Sequence, residues 1–213
     1  MSELVSIERD GAEAAREALE RRIRDGGIAV FPADGLYGLA CDPGSARAIV
    51  RIHEIKARDR GKPSAVMYFS EEAISGLLER LAPLTRAAIA AVLPGPATLV
   101  VYNPGKVWPH ACGDEPEQLG VRWIEGPLAG VGVPVFQTSA NPSGEPPPAA
   151  LEEVAPGILD QVDLVIDGGR LSGIPSTVVD LTAIEGGGAW EVVREGAMPY
   201  ERLERALTGL SLG

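Results

Sequence analysis

Apolar residues recur at helical spacing in residues 12–24, where Ala14, Ala15, Ala18, Leu19 and Ile23 share one face and Gly26-Gly27 halts the pattern. A first helix is predicted there. Ile28 to Phe31 is a short unbroken apolar run and reads as a strand. Helical spacing returns from Ser45 through Ile55, with Ile49, Val50 and Ile52 behind a serine suited to cap the first turn. Ala65 to Phe69 reads as another strand and Ser70 as the cap of a third helix. Pro83 opens a fourth, at the position where proline costs a helix least.

Past Gly95 the pattern shortens. Strands are predicted at Ala97–Tyr102, Leu119–Trp123, Val133–Thr138, Val162–Ile166, Thr177–Leu181 and Trp190–Arg194, separated by Gly and Pro punctuation and mostly without long helices between them. Helices early and strands late imply an α/β (α+β-like) fold, a mixed sheet with helices packed on it rather than a regular βαβ array. Gly144 to Ala150, with Pro146, Pro147 and Pro148, is a rigid loop too short to link two domains. No internal repeat interrupts the chain, and residues 1–213 read as one domain.

Composition agrees: 45% hydrophobic and 23% charged residues belong to an ordinary globular protein. At this length folding buries roughly 70% of the unfolded surface, so the core needs no disulfide or structural metal. Cys41 and Cys112 are isolated and read as reduced thiols. No apolar run approaches the ~20 residues of a membrane span, and the N-terminus lacks the basic-then-apolar order of a signal peptide, so a cytoplasmic protein with no membrane partner is expected. A net charge of −11 argues against extended contact with a nucleic-acid backbone. Charge is uneven, however: Arg47, Arg51, Lys56, Arg58, Arg60 and Lys62 lie together against only Glu54 and Asp59. Such a run either holds an anion or is a solvated helix face.

Familiar nucleotide signatures are missing. Gly61-Lys62 is followed by Pro63 with no glycine five residues earlier, which excludes a P-loop, and Gly130-x-Gly132 lacks the third glycine of a dinucleotide fingerprint. Only His53 and His110 exist and no G-x-S-x-G elbow is present, so a Ser-His-Asp hydrolase is poorly supported and each histidine reads as structural or surface. Four polar clusters stand instead at the edges of apolar strands, where a sheet presents side chains to a cleft. Pro32-Ala33-Asp34-Gly35-Leu36-Tyr37-Gly38-Leu39 is the first; two glycines and a proline also suit a plain turn. Lys56-Ala57-Arg58 is the second: across one extended residue two cations can converge on a phosphate, or they can simply favour a helix C-terminus. Thr138-Ser139-Ala140-Asn141-Pro142-Ser143-Gly144 offers hydroxyl and amide donors, or an N-cap or Asx turn. Ser176-Thr177-Val178-Val179-Asp180, with Arg194-Glu195-Gly196 later, is the fourth.

In this order, together with Pro94-Gly95-Pro96-Ala97-Thr98 and Val121-Arg122, the clusters resemble the YrdC/TsaC family over roughly residues 10 to 198. That resemblance implies a twisted, largely open sheet with a concave basic cavity, and joining of L-threonine or a similar small amino acid, bicarbonate and ATP, with Mg²⁺, into threonylcarbamoyl-adenylate and pyrophosphate. A downstream transfer enzyme then acts on tRNA, with little direct RNA contact by this chain. The implied catalytic tetrad is Lys56, Arg58, Ser139 and Asn141, with Lys56, Arg58, Arg60, Asn141 and Arg194 toward ATP. Ala33, Gly35, Tyr37, Arg122, Ser139 and Ser176 would face the amino acid or carbamate, and no residue is assigned to metal. A related enzyme adenylating a different carbamate or amino acid, or a non-catalytic nucleotide- or RNA-binding module, is the alternative.

The chain departs from the family pattern in two places. Ala33 and Gly35 stand where threonine is usual beside the acid, and Arg122 is followed by Trp123, Ile124, Glu125 and Gly126 instead of an R-x-P-x-H-P run. Looser amino-acid selectivity is the expectation. A longer branch of the family adds a C-terminal domain; ending at Gly213, this chain is expected to be the single-domain form.

Overall fold

The structure, a computed structural model, describes residues 2–210. Strand β1 (Glu3–Ser6), the single turn α1 (Ile7–Asp10) and helix α2 (Ala12–Arg24) lead into the hairpin β2 (Ala29–Pro32) and β3 (Tyr37–Cys41). Then come α3 (Ala46–Ile55), β4 (Ala65–Tyr68), α4 (Glu71–Leu78), α5 (Pro83–Val92), β5 (Ala97–Tyr102), β6 (Gln118–Trp123) and β7 (Val135–Ser139). The short α6 (Pro156–Leu159), β8 (Leu164–Asp167), β9 (Thr177–Asp180), β10 (Glu191–Arg194) and α7 (Tyr200–Leu207) complete the chain.

The helix starts follow local chemistry. Ser45 Oγ accepts from the Ala48 amide and Ser70 Oγ from the Ala73 amide, each at 3.2 Å, satisfying amides that a helix leaves orphaned. Pro83 opens α5 as expected, and Glu185 reaches across to accept from the Thr85 amide at 2.6 Å.

The ten strands of the described residues form one mixed sheet in the order β1-β8-β2-β3-β7-β4-β6-β5-β9-β10. Neighbours β1/β8, β2/β8, β4/β6 and β5/β9 run parallel and the remaining pairs antiparallel. The sheet is open, with β1 and β10 at its edges. Two strands differ from the sequence expectation: β1 was unassigned, and β3 occupies the end of a segment read as a turn, whose true turn is closed by the Ala33 amide bonding Leu36 O at 2.9 Å.

Strand alternation divides the faces. Val30, Leu39, Val66, Tyr68, Leu99 and Val121 point to one face, where α3, α4, α5 and α7 bury Ile49, Ile52, Ile74, Ile89 and Leu203 against them. The opposite face is shared. Helix α2 covers one end through Leu19, packed with Phe31, Met67, Leu164 and Ile166. Beyond it the same parity brings Ala65, Thr98, Val100, Gly120 and Arg122 into the lining of a cavity. Small side chains there leave room that bulky ones fill on the other face.

Candidate active site

The cavity holds about 390 Å³. Its floor is the strand face just described, and its walls are the turn after β2, the segment after α3, the loop after β7 and the segment leading into β9.

Arg122, on β6, is 6% exposed at the floor. One terminal nitrogen donates to Gln137 Oε1 at 3.0 Å; the other reaches Ala33 O at 3.4 Å and lies 3.6 Å from Asp34 Oδ2. Its Nε has no partner. Burial brings this guanidinium down to about 10, with Asp34 opposing the shift and Arg194 adding to it. Burial likewise raises Asp34, and nearby Arg122 partly offsets that.

Lys56 and Arg58 part company at the end of α3. The Arg58 amide bonds His53 O at 2.9 Å and the Ala57 amide bonds Glu54 O at 3.1 Å, closing the helix with Ala57 in the left-handed region at φ 49°. The turn sends the two side chains to different places. Arg58 lines the cavity; one terminal nitrogen donates to Pro63 O at 2.8 Å and its Nε is buried without a partner. Lys56 is 1% exposed and lies under the loop after β7, where Nζ donates to the carbonyl oxygens of Ser139 and Asn141 and, at 3.4 Å, to Asn141 Oδ1. Burial, with neighbouring Arg58, pushes this lysine down to about 8. The expected convergence of both cations required an extended residue between them, and Ala57 is not extended.

Asn141 also differs from expectation. It is 9% exposed and outside the cavity lining, its amide nitrogen donating to the carbonyl oxygens of Pro142 at 3.1 Å and Glu145 at 2.5 Å, so it shapes its own loop. The Ser143 amide bonds Lys56 O at 2.8 Å, completing a knot around buried Lys56 and Asn141 that sets Ser139 at the cavity wall. Arg60 is exposed and pairs with Glu54 at 2.9 Å, away from the lining. Tyr37 borders the cavity, but its hydroxyl serves the chain after β8, donating to Gly169 O at 2.8 Å and accepting from the Gly168 amide at 2.9 Å.

Arg194, Ser176, Ala33 and Gly35 are all brought to the cavity. Arg194 donates to Ser176 O at 2.7 Å and Ser176 Oγ at 3.3 Å. Gly196, next but one, packs where a Cβ would strike the backbone of Ser176 and Thr177, so the R-x-G ending needs its glycine for close approach.

Sequence reasoning missed Gln137, Thr98 and Ser64. Gln137 orients Arg122; Thr98 Oγ1 lies 2.8 Å from Ser176 Oγ; Ser64 Oγ is buried at the cavity without a partner. A polar residue at the mouth of an apolar strand was the available signal for Ser64, and a glutamine inside one for Gln137. His53, 3% exposed, packs against Phe136 with ring centres 6.0 Å apart, and burial lowers it below the usual histidine range. Cys41 and Cys112 are buried free thiols. Among the described residues no helix is long and apolar enough to cross a membrane.

Three unpartnered donors, Arg58 Nε, Arg122 Nε and Ser64 Oγ, thus border one basic cavity. Arg22 Nε and both ring nitrogens of His53 are likewise buried without partners away from the cavity, so what distinguishes the cavity is the gathering of Arg58, Arg122 and Arg194 with Ser64, Ser139 and Ser176 in one lining. The open mixed sheet and the three arginines of the lining define the class, an α/β protein with a basic cavity on the uncovered part of its sheet. The Sua5/YciO/YrdC family model, described as Telomere recombination, matches residues 21–196, and the chain belongs to this family. Its relatives include the threonylcarbamoyl-AMP synthase of Chromohalobacter salexigens, 33% identical over 76% of this chain and 90% of that protein. The Pyrococcus abyssi threonylcarbamoyl-AMP synthase is 30% identical over 87% of this chain, which spans 55% of the relative's length. Among solved structures, P. abyssi Sua5 complexed with L-threonine matches with a TM-score of 0.80 at 28% identity, over 98% of this chain and 61% of that one. Escherichia coli YciO matches at 0.79 and 26% identity, over 95% of this chain and all of its own.

Proposed function

We propose that this chain is an L-threonylcarbamoyl-adenylate synthase. The observation that carries the reading is the cavity lining, which gathers Arg58, Arg122 and Arg194 with the hydroxyls of Ser64, Ser139 and Ser176, the cations and donors that a polyphosphate and a small carboxylate need. The names of relatives at 30% and 33% identity supply the reaction.

In the proposed chemistry the amine of L-threonine combines with bicarbonate to give a carbamate and water. A carbamate oxygen then attacks the α-phosphorus of ATP, the bond to the β-phosphate oxygen breaks, and pyrophosphate leaves. No covalent nucleophile is required; the protein aligns two anions and stabilises the growing charge. Arg58 and Ser64 serve the phosphates, with Ser139 held beside them by the Lys56–Asn141 knot. Arg122, oriented by Gln137, takes the amino-acid carboxylate, and Arg194 with Ser176 borders the far side of the cavity. Mg²⁺ would be carried by the nucleotide phosphates and would supply charge neutralisation there; among the described residues no group of three or more His, Cys, Asp or Glu is set to hold a metal, and Glu115 is the carboxylate of the cavity lining that would stand beside such an ion. The product passes to a transfer enzyme acting on tRNA. Arg51 and Arg60, cations of the basic run, are paired with Asp163 and Glu54, which leaves this chain little of a continuous RNA surface.

Pyrophosphate release with ATP, bicarbonate and each of the twenty amino acids tests the reading. Release with threonine is the expected result; no release above background with any amino acid would overturn it.

A further inference from the structure

The segment from Gly168 to Ser176 joins β8 to β9 without helix or strand, yet it is fastened along its length. At its start the Gly168 amide and Gly169 O bond the Tyr37 hydroxyl at 2.9 and 2.8 Å. In the middle the Leu171 amide bonds Ala149 O at 2.8 Å and the Gly173 amide bonds Gly35 O at 3.0 Å. At its end Pro175 O accepts from the Ala197 amide at 2.8 Å. Gly35 is what lets the segment descend. A Cβ there would run into the Ile174 carbonyl and lie 2.9 Å from Ser172 Oγ, so any other residue forces the strap outward.

Ile174 is the consequence. It lines the cavity beside Gly35 while remaining 49% exposed, an apolar side chain of the wall with its surface uncovered. The neighbouring turn carries Asp34 and the Ala33 carbonyl, both reached by Arg122. A carboxylate drawn to Arg122 at the cavity floor therefore leaves the rest of a small amino acid near a wall where Ala33, Ile174 and Pro175 offer methyl and methylene groups, with the Ser176 hydroxyl at its edge.

We propose that the Gly168–Ser176 strap closes the amino-acid end of the cavity and that Ile174 limits the size of the side chain accepted there. This rests on the reading of Arg122 as the carboxylate site. Selection is by volume against an apolar wall, a mode worth only ~10–200-fold between side chains differing by a methylene. The segment thus accepts alanine-, serine-, threonine- and valine-sized side chains with modest preference and refuses leucine-sized ones.

The test pairs equilibrium titration of alanine, serine, threonine, valine and leucine into the wild type and Ile174→Ala with pyrophosphate release in the same mixtures. Ile174→Ala trims an exposed side chain and is expected to fold; Gly35→Ala, which displaces the strap, is carried alongside. The leucine-to-threonine affinity ratio should rise about tenfold or more in Ile174→Ala, and Gly35→Ala should weaken every amino acid. An unchanged ratio in Ile174→Ala would overturn the proposal even if threonine supports pyrophosphate release, as would failure of all five amino acids to bind the wild type. A shifted ratio without pyrophosphate release would uphold the strap and remove the synthase reading instead.

Discussion

Lys56 and Arg58 carry the same charge one residue apart, yet the regions they enter are opposites. Around Lys56 the loop after β7 is tied down: Nζ meets three oxygens of the 139–141 segment, Asn141 bonds the backbone at Pro142 and Glu145, and Ser143 returns a bond to Lys56 O, while the ring nitrogens of nearby His53 stay unpartnered. Around Arg58 the bonding is incomplete, and its Nε, Ser64 Oγ and Arg122 Nε are left without partners at a cavity. A satisfied buried network fixes one conformation, whereas unsatisfied donors keep free energy in reserve for a ligand. The difference separates residues that the sequence pattern groups together: the knot braces the wall, and the cavity carries the proposed substrate contacts.

Breaking the knot should show first in stability. Lys56→Met leaves three buried oxygens without their donor, and at ~1–3 kcal/mol each, less the desolvation recovered with the charge, the expected loss is roughly 3 kcal/mol in chemical denaturation. Activity lost without any loss of stability would place Lys56 on the substrate instead. Asn141→Ala removes the brace of the loop and should cost about 1–3 kcal/mol, with ATP affinity falling only as far as Ser139 shifts. A large affinity loss at unchanged melting temperature would return Asn141 to the cavity.

The charge in the knot gives a pH signature. Lys56 is lowered in the folded state to about 8 from 10.5, so between these values the unfolded chain holds a proton that the folded chain has released. Stability contributed by this site is therefore lost as pH falls through 8 and gained as pH rises from 8 toward 10.5. Subtracting the stability profile of Lys56→Met from that of the wild type should expose this rise; a flat difference across the window would contradict it. The smallest expected effect is at the point where the regions separate. Ala57 sits in a left-handed conformation that is unfavourable for alanine by ~1–2 kcal/mol, part of which glycine recovers at the expense of a more flexible unfolded chain. Ala57→Gly should thus stabilise by about 0.5 kcal/mol, a shift in melting temperature of about 1–2 °C for a chain of this size.

Much of this was legible in residue order. Caps at Ser45 and Ser70, the proline opening α5 and the apolar strands after Gly95 all rest on short-range chemistry, and the structure carries them within a few residues. Strand β3 was not legible because Tyr37–Cys41 contains a glycine and follows a tight turn; its pairing with β2 in the hairpin and with distant β7 reveals it as a strand. Edge strand β1 buries just Val5 and shows too little pattern to register. At the site, motifs identified Arg58, Ser139, Ser176 and Arg194 as cavity residues. They could not separate Lys56 from Arg58, because that depends on one backbone angle at Ala57. Nor could they show that Ile174 stands over Gly35, a contact made across distant parts of the chain.

The division between knot and cavity is tested most directly by titrating ATP into Arg58→Ala while following its thermal unfolding. Charge-assisted contacts to phosphate in a cleft are about twice as strong as neutral ones, and losing this one should weaken ATP binding by ~100-fold, about 2.7 kcal/mol, with the melting temperature unchanged. Wild-type affinity in Arg58→Ala, or an affinity loss matched by a loss of fold, would contradict the assignment of Arg58 to the ligand and Lys56 to the wall.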